Sequence, residues 1–336
     1  MIKDFAPAKT LSSVKVVKKP LPKEIAKKTN RRLVILLLTL TIGLSLFSWK
    51  KPRLEQWWQK LWEPASYEII NPEVVDTQLL RMTSNLHSPS DVVAGIKELV
   101  TPLQGIYGVY VESLDDKTTY GINQEDSFLA ASVNKILIMA EFLQEMEKGR
   151  ISFEDEYRLQ AQDIQDYGTG SMRYAQPGTV YTYQDLLELS GKQSDNTATW
   201  VLALILGNDH IQQFIDSLGM SKTSLSDNTT TPVEMGHFWA RIFYGEILTE
   251  DFKEKFYDYL THTDFEERIP AGVPSLVSVA HKIGTEIQTV NDCGIIFNKK
   301  HPYVLCIFSK EAQEGEALKV IPKISHLVWS YESTRP

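Results

Sequence analysis

The order of strand and helix signals constrains this chain most. Beyond residue 90, two stretches alternate like strands, residues 106–113 and 118–122, joined by the turn at 114–117. Three more, at 277–282, 292–297 and 303–309, come near the end and precede a closing helical pattern at 316–331. Between the two groups the chain reads as helical over 183–189, 196–206, 211–218, 232–244 and 250–260, with a further helix ahead of the first strand at 92–100. Strands at both ends with helices between them imply one antiparallel sheet that draws on both termini. The predicted fold is α+β: a five-stranded antiparallel sheet flanked by helices, with an all-helical lobe.

One stretch in the helical part carries chemistry. In Ala130-Ala131-Ser132-Val133-Asn134-Lys135-Ile136, a serine stands three residues before a lysine, which places both side chains on one helix face. That arrangement lets an amine take a proton from a hydroxyl and so activates a weak nucleophile. The following residues, Ile136 to Ala140 and then Phe142 and Leu143, are apolar around most of the helix, which predicts burial rather than an amphipathic surface position. Residues 157–178 are polar and read as a loop region. Gly168 and Gly170 there are weak evidence for phosphate binding, because turns use glycine for positive φ.

Charge divides the chain. Residues 1–32 carry ten Lys and Arg against Asp4 and Glu24, a net +8, so the chain's total of −8 leaves −16 for the rest. An acidic body argues against nucleic acid as its partner. The Lys- and Pro-rich tail reads as disordered. After Arg31-Arg32 comes a run from Leu33 to Trp49 that is apolar apart from Thr39, Thr41, Ser45 and Ser48. Its 17 residues reach the short end of a membrane span. No small-residue cleavage site follows, only Lys50-Lys51-Pro52, so an anchor is favoured over a removable signal peptide. The heavier basic cluster is N-terminal, which predicts a cytoplasmic tail and an extracytoplasmic body. Trp57, Trp58 and Trp62 form an interfacial aromatic cluster just beyond. The expected organisation is a basic tail at 1–32, a single-pass anchor at 33–49, a stalk at 50–90 with one short helix near 74–82, and a catalytic domain at 91–336.

The two cysteines exclude a disulfide framework and a four-cysteine zinc site. With a hairpin loop at 298–301, Phe297 faces Pro302 and Cys293 faces Cys306, where the pair can bond or simply pack. The seven histidines have no metal-ligand spacing, so neither metal nor cofactor is expected.

Single motifs are poor guides here, because Ser-x-x-Lys occurs at Ser12, Ser48 and Ser132, and Ser-Asp-Asn at Ser194 and Ser226. Tail and membrane-edge positions cannot form a pocket, which leaves Ser132/Lys135, then Ser194-Asp195-Asn196, then Lys282-Ile283-Gly284-Thr285 on a strand. In that order they resemble the Ser-x-x-Lys, Ser-Asp-Asn and Lys-Thr-Gly signature of class A β-lactamases and penicillin-binding proteins. The stretches Thr229-Thr230-Thr231-Pro232, Gly245-Glu246-Ile247-Leu248-Thr249 and Arg268-Ile269-Pro270-Ala271-Gly272 are also similar to the class A type, and the resemblance spans roughly residues 91–334.

The resemblance implies roles. Ser132 attacks a carbonyl, and Lys135 accepts its proton as a neutral amine, a state favoured by burial and by Lys282. Ser194 relays a proton to the leaving nitrogen with Lys282 tuning it, and Asn196 holds the substrate amide. The oxyanion sits between the backbone N–H groups of Ser132 and Thr285, at the strand that includes Gly284. Asp195 is expected to bond loop backbone, and Tyr167 either walls the cleft or lies on the surface. The implied substrate is a β-lactam or a D-Ala-D-Ala-like cell-wall peptide.

Two departures from the family pattern stand out. No glutamate occurs between Asn196 and Glu234, where the family places its deacylating base, and Asp227 has a shorter arm on a shortened loop. Ile283 replaces a hydroxyl residue that helps bind the substrate carboxylate, a hydrogen bond isoleucine cannot donate. The expectation is therefore a membrane-anchored serine hydrolase that acylates and releases slowly. The alternatives are a peptidoglycan D,D-carboxypeptidase of the penicillin-binding type, or an idle module that binds cell-wall peptides.

Overall fold

The computed structural model describes residues 77–335. The basic tail, the membrane segment and the stalk up to residue 76 lie outside the described residues. Among the described residues no helix is long and apolar enough to cross a membrane.

The chain opens with α1 (Thr77–Thr83) and α2 (Pro89–Val100), the latter capped by Ser88, whose hydroxyl accepts from the Asp91 N–H. Strands β1 (Ile106–Ser113) and β2 (Thr119–Ile122) form an antiparallel pair. At the far end come β7 (Val279–Glu286), β8 (Thr289–Ile296), β9 (Tyr303–Lys310) and the closing helix α9 (Glu314–Glu332). The sheet order is β2-β1-β9-β8-β7, so the last strand sits at the centre and pairs with the first in the register Ile106↔Lys310 to Ser113↔Tyr303. The five-stranded antiparallel sheet of an α+β fold is thus observed, with nine α-helices among the described residues.

Both faces of the sheet are covered, and the two-residue period of each strand divides its side chains between two cores. Tyr107, Val109 and Val111 of β1, with Tyr303, Leu305 and Ile307 of β9, share a core with Val92 and Ile96 of α2 and Ile321 and Ile324 of α9. Met82 of α1 belongs to that core as well. Tyr110, Val304, Cys306 and Phe308 face the other way, toward α3 (Lys135–Glu147) and α7 (Pro232–Phe243). A Cβ on Gly236 of α7 would overlap the Tyr110 ring, so that glycine allows the helix to lie close on the sheet. The lobe adds α4 (Tyr183–Lys192), α5 (Asn196–Leu206), α6 (Asn208–Ser217) and α8 (Glu250–Leu260) around the same core.

Three local features differ from or sharpen the sequence reading. Eleven of the thirteen residues of α3 are buried, as its unbroken apolar run requires, but Ser132 precedes the helix in a 3-10 turn, Ala131–Asn134. The loop region after α3 contains β4 (Glu156–Arg158), paired with β5 (Val180–Thr182), and β3 (Phe128–Leu129) pairs with β6 (Thr229–Thr230). Cys293 faces Cys306 in the β8–β9 register, and the two are joined by a disulfide.

Under β7, His281 and Asp292 form a fully buried pair at 2.9 Å, with the Ile269 N–H also donating to Asp292. Burial opposes charge on His281, yet Asp292 and then Glu266 outweigh it and hold its pKa at about 9. A raised histidine pKa stabilises the fold fully below about pH 6.5 and ceases to do so as pH rises through 9. A shift of this size is worth about 3 kcal/mol. The stability gap between wild type and His281→Gln, measured by denaturant unfolding, is expected to shrink by about that amount from pH 6.5 to above 9. A gap independent of pH would show that His281 is not charged in the folded protein.

Candidate active site

The 3-10 turn that carries Ser132 is fixed from three sides. The Ala130 N–H donates to the Asn228 carbonyl at 2.7 Å, Asn291 Nδ2 donates to the Leu129 carbonyl at 2.8 Å, and Asn134 Nδ2 donates to Asn228 Oδ1 at 3.0 Å. Strand β7 presses on the turn so closely that a Cβ on Gly284 would lie 2.5 Å from the Ala130 carbonyl oxygen. Ala131 is held at φ +51°, and Ser194, on the opposite wall, at φ +52°. Left-handed backbone at a residue other than glycine costs about 1–3 kcal/mol and persists only where surrounding contacts fix it.

The second wall begins at the N-terminus of α5. Asp195 is its N-cap: Oδ1 accepts from the Ala198 N–H at 2.9 Å and Oδ2 from the Met172 N–H at 2.8 Å, which is the loop-bonding work expected of it. Thr169 Oγ1 donates to the Ser194 carbonyl at 2.8 Å, and Asn196 Nδ2 to the Tyr167 carbonyl at 3.1 Å. The loop at 167–171 therefore lies directly on the Ser-Asp-Asn segment. Gly168 and Gly170 serve that approach, because a Cβ at either would collide with Asn196 or Asp195, and both have positive φ.

Lys135 joins the two walls. Its Nζ lies 2.5 Å from the Ser194 carbonyl oxygen, 2.7 Å from Asn196 Oδ1 and 3.3 Å from Ser194 Oγ. Burial lowers its pKa to about 7 against the opposing pull of Asp195. A neutral amine has two N–H bonds, which match the two short contacts, and one lone pair left to accept a proton. Ser132 Oγ has no hydrogen-bond partner among the described residues, so transfer to Lys135 requires the pair to close as substrate enters.

Ser132, Lys135, Ser194, Asn196, Thr285 and Tyr167 all line one cleft of about 310 Å³. Tyr167 is well exposed and stands at its mouth. Lys282 and Gly284 lie behind the lining. Lys282 is buried, its Nζ has only the Ile283 carbonyl within reach at 3.5 Å among the described residues, and no hydrogen bond joins it to Ser194. Burial, and then Lys135 and Arg268 nearby, push its pKa well below that of a free lysine, against the pull of Asp292.

Two lining or supporting residues escaped the sequence reading. Arg268 is buried beneath Thr285: Nη2 donates to Thr285 Oγ1 at 2.6 Å, while Nη1 donates to the carbonyls of Gly284 and Asn291. Thr285 Oγ1 thus accepts from a cation and can turn its own proton toward a substrate. Its only sequence signal was its place at the head of Arg-Ile-Pro-Ala-Gly. Asn228 lines the cleft although its own Ser-Asp-Asn triplet is not the motif, and Asp227 beside it is exposed and bonded to Ser224.

Glu141, Glu145 and His210 offer ligating atoms near one another, on α3 and α6, but none of them lines the cleft. Arg150 at 2.7 Å and Lys148 at 3.0 Å already neutralise Glu145, and His210 pairs with Glu141 at 2.6 Å. These contacts already engage both carboxylates, and the group lies apart from the cleft.

Comparison with known proteins agrees with this geometry. The family model described as the Beta-lactamase enzyme family matches residues 91–331. Beta-lactamase VEB-1 of Pseudomonas aeruginosa is 25% identical over 254 residues, covering 67% of this chain and 84% of the relative. Beta-lactamase CTX-M-4 of Salmonella typhimurium is 25% identical over 263 residues, covering 72% and 90%. Among solved structures, PBP-A superposes with a TM-score of 0.67 at 25% identity, covering 71% of this chain and 95% of that one. The beta-lactamase from Sphaerobacter thermophilus DSM 20745 has a TM-score of 0.70 at 24% identity, covering 74% and 100%, a likeness of fold. The family model covers most of the body that carries this site, and this chain belongs to the class A β-lactamase-like family of serine hydrolases.

Proposed function

We propose that the protein forms an acyl-enzyme on Ser132 with β-lactams or D-Ala-D-Ala-like cell-wall peptides and releases the acyl group slowly. The observation that carries this reading is Lys135, buried with a pKa near 7 and held within hydrogen-bond reach of Ser194 and Asn196 in the cleft that Ser132 lines. Ser132 Oγ bonds to the carbonyl carbon as its proton passes to Lys135. The C–N bond then breaks, and the proton reaches the leaving nitrogen through Ser194 Oγ. Water later adds to the ester and restores Ser132. The backbone N–H groups of Ser132 and Thr285 are assigned to the oxyanion, and burial is what favours a neutral Lys135, against the pull of Asp195. A mutant of PBP-A has been solved as an acyl-enzyme complex with penicillin G, which makes that compound the natural probe.

The test is intact-mass spectrometry after incubation with penicillin G. A stable adduct on wild type, absent from Ser132→Ala, is expected. An unmodified wild type that also leaves the drug intact would favour an idle peptide-binding module, the reading Ile283 supports. Because Lys135 must be neutral to act, the acylation rate should rise about tenfold per pH unit up to about pH 7 and level off above it. A profile flat from pH 5 to 8 would remove Lys135 from the role of base.

A D,D-carboxypeptidase acting on cell-wall peptides is the second reading, favoured by the missing loop glutamate. On either reading the body is placed outside the cytoplasmic membrane, anchored through the run from Leu33 to Trp49. That placement rests on the basic flanks of the run.

A further inference from the structure

The outward face of α5 is unusual for a helix next to a reactive site. Trp200 is 46% exposed and Leu204, one turn further, 54%. Large apolar side chains grouped at the exposed edge of a cleft point to a ligand that covers them. The chain between α6 and β6 is bonded away from this face. Between α6 and β6, the Lys222 N–H donates to Glu234, the Leu225 N–H to Gln212 Oε1, and Arg241 Nη1 to the Leu218 carbonyl.

The exposed face is continuous with the site. Trp200, Ala203 and Ile138 line the same cleft as Ser132 and Asn196. Asn196 and Trp200 are four residues apart on α5 and therefore share a face, one turn from each other. An amide held by Asn196 would direct whatever lies beyond it along that face onto the indole ring.

We propose that Trp200, with Ala203 and Ile138, forms a subsite for a flat apolar group on the acyl donor, and so selects donors with an aromatic or extended aliphatic substituent beyond the amide. This rests on the acyl-enzyme reading above and names the substrate class of the same site. An indole face supplies a large rigid contact and favours ring-on-ring packing.

The experiment compares acylation by penicillin G, which carries a phenylacetyl group, with acylation by 6-aminopenicillanic acid, the same nucleus without that group. Second-order constants come from the time course of Ser132 adduct by intact mass, using the full chain. In wild type the ratio of the two constants should favour penicillin G. In Trp200→Ala that ratio should fall about tenfold, and Trp200→Phe should keep most of it. Because Trp200 is half exposed, unfolding is not the expected cost, and matching thermal midpoints would confirm this. A ratio unchanged in Trp200→Ala, with both compounds still forming adducts, overturns the subsite and leaves the acyl-enzyme reading intact. Absence of any adduct on wild type overturns both.

Discussion

Replacing Ser132 with alanine is expected to lower acylation by penicillin G by at least about 10⁴-fold and to leave no adduct in the mass spectrum. The size follows from the nature of the loss. In the proposed reaction Ser132 Oγ is the atom that bonds to the carbonyl carbon, so the variant loses the reaction path rather than one contribution to it. Among the described residues, Ser194 Oγ is the hydroxyl within hydrogen-bond reach of Lys135. Ser194 Oγ is 3.3 Å from the same lysine, but its backbone is locked by Thr169 and by φ +52° on the facing wall. The residue is also a safe one to truncate. Ser132 Oγ has no hydrogen-bond partner among the described residues, and the turn is held by the contacts of its neighbours with Asn228, Asn291 and Gly284. Lost reactivity in Ser132→Ala, with an unchanged unfolding midpoint, therefore isolates chemistry from folding. Persistence of the adduct would move the nucleophile to another residue and end the assignment.

Much of this site was legible in the sequence because its parts are local. Ser132 and Lys135 are three residues apart, and Ser194 and Asn196 are two apart at a helix start, so short-range geometry already fixes each pair. The register of β8 and β9 was legible for a similar reason. A short hairpin loop fixes every partner downstream of it, including Cys293 opposite Cys306. What escaped depends on distant partners. The 3-10 turn at Ser132 replaces the expected first helical turn because Ala130 is fixed by β7 and by Asn291 of β8, more than 150 residues away. Arg268 reads as an ordinary loop cation until folding buries it under Thr285. Asn228 sits in the triplet that spacing disfavours as the motif, yet its carbonyl and its side chain both hold the turn that carries Ser132. Conversely, Lys282 sits where the motif order puts it, but its amine does not reach Ser194 in this state.

Release of the acyl group should be much slower than its formation, so that penicillin G titrates the enzyme in a burst and the adduct then decays slowly. Hydrolysis of the ester needs a base to take a proton from the attacking water, and a positioned base contributes about 10²–10⁴-fold. The nearby carboxylates are engaged elsewhere or exposed. Glu234 is held by the Lys222 N–H and by Thr223 Oγ1 at 2.6 Å, and does not line the cleft. Asp227 points to solvent beside Ser224. Among the described residues, Glu286 is the carboxylate that lines the cleft, and it is exposed at the end of β7, past Thr285 rather than on the Asn228 side. Lys135 can act as base for the water only once its proton has left through Ser194. The expected deacylation rate is therefore about 10²–10⁴-fold below the acylation rate at saturating drug. Rapid turnover without a burst would contradict this, and its loss in Glu286→Gln would place the missing base on the opposite wall of the cleft. If turnover is rapid and Glu286→Gln retains it, the base is Lys135 itself, and the shortened loop carries no penalty for release.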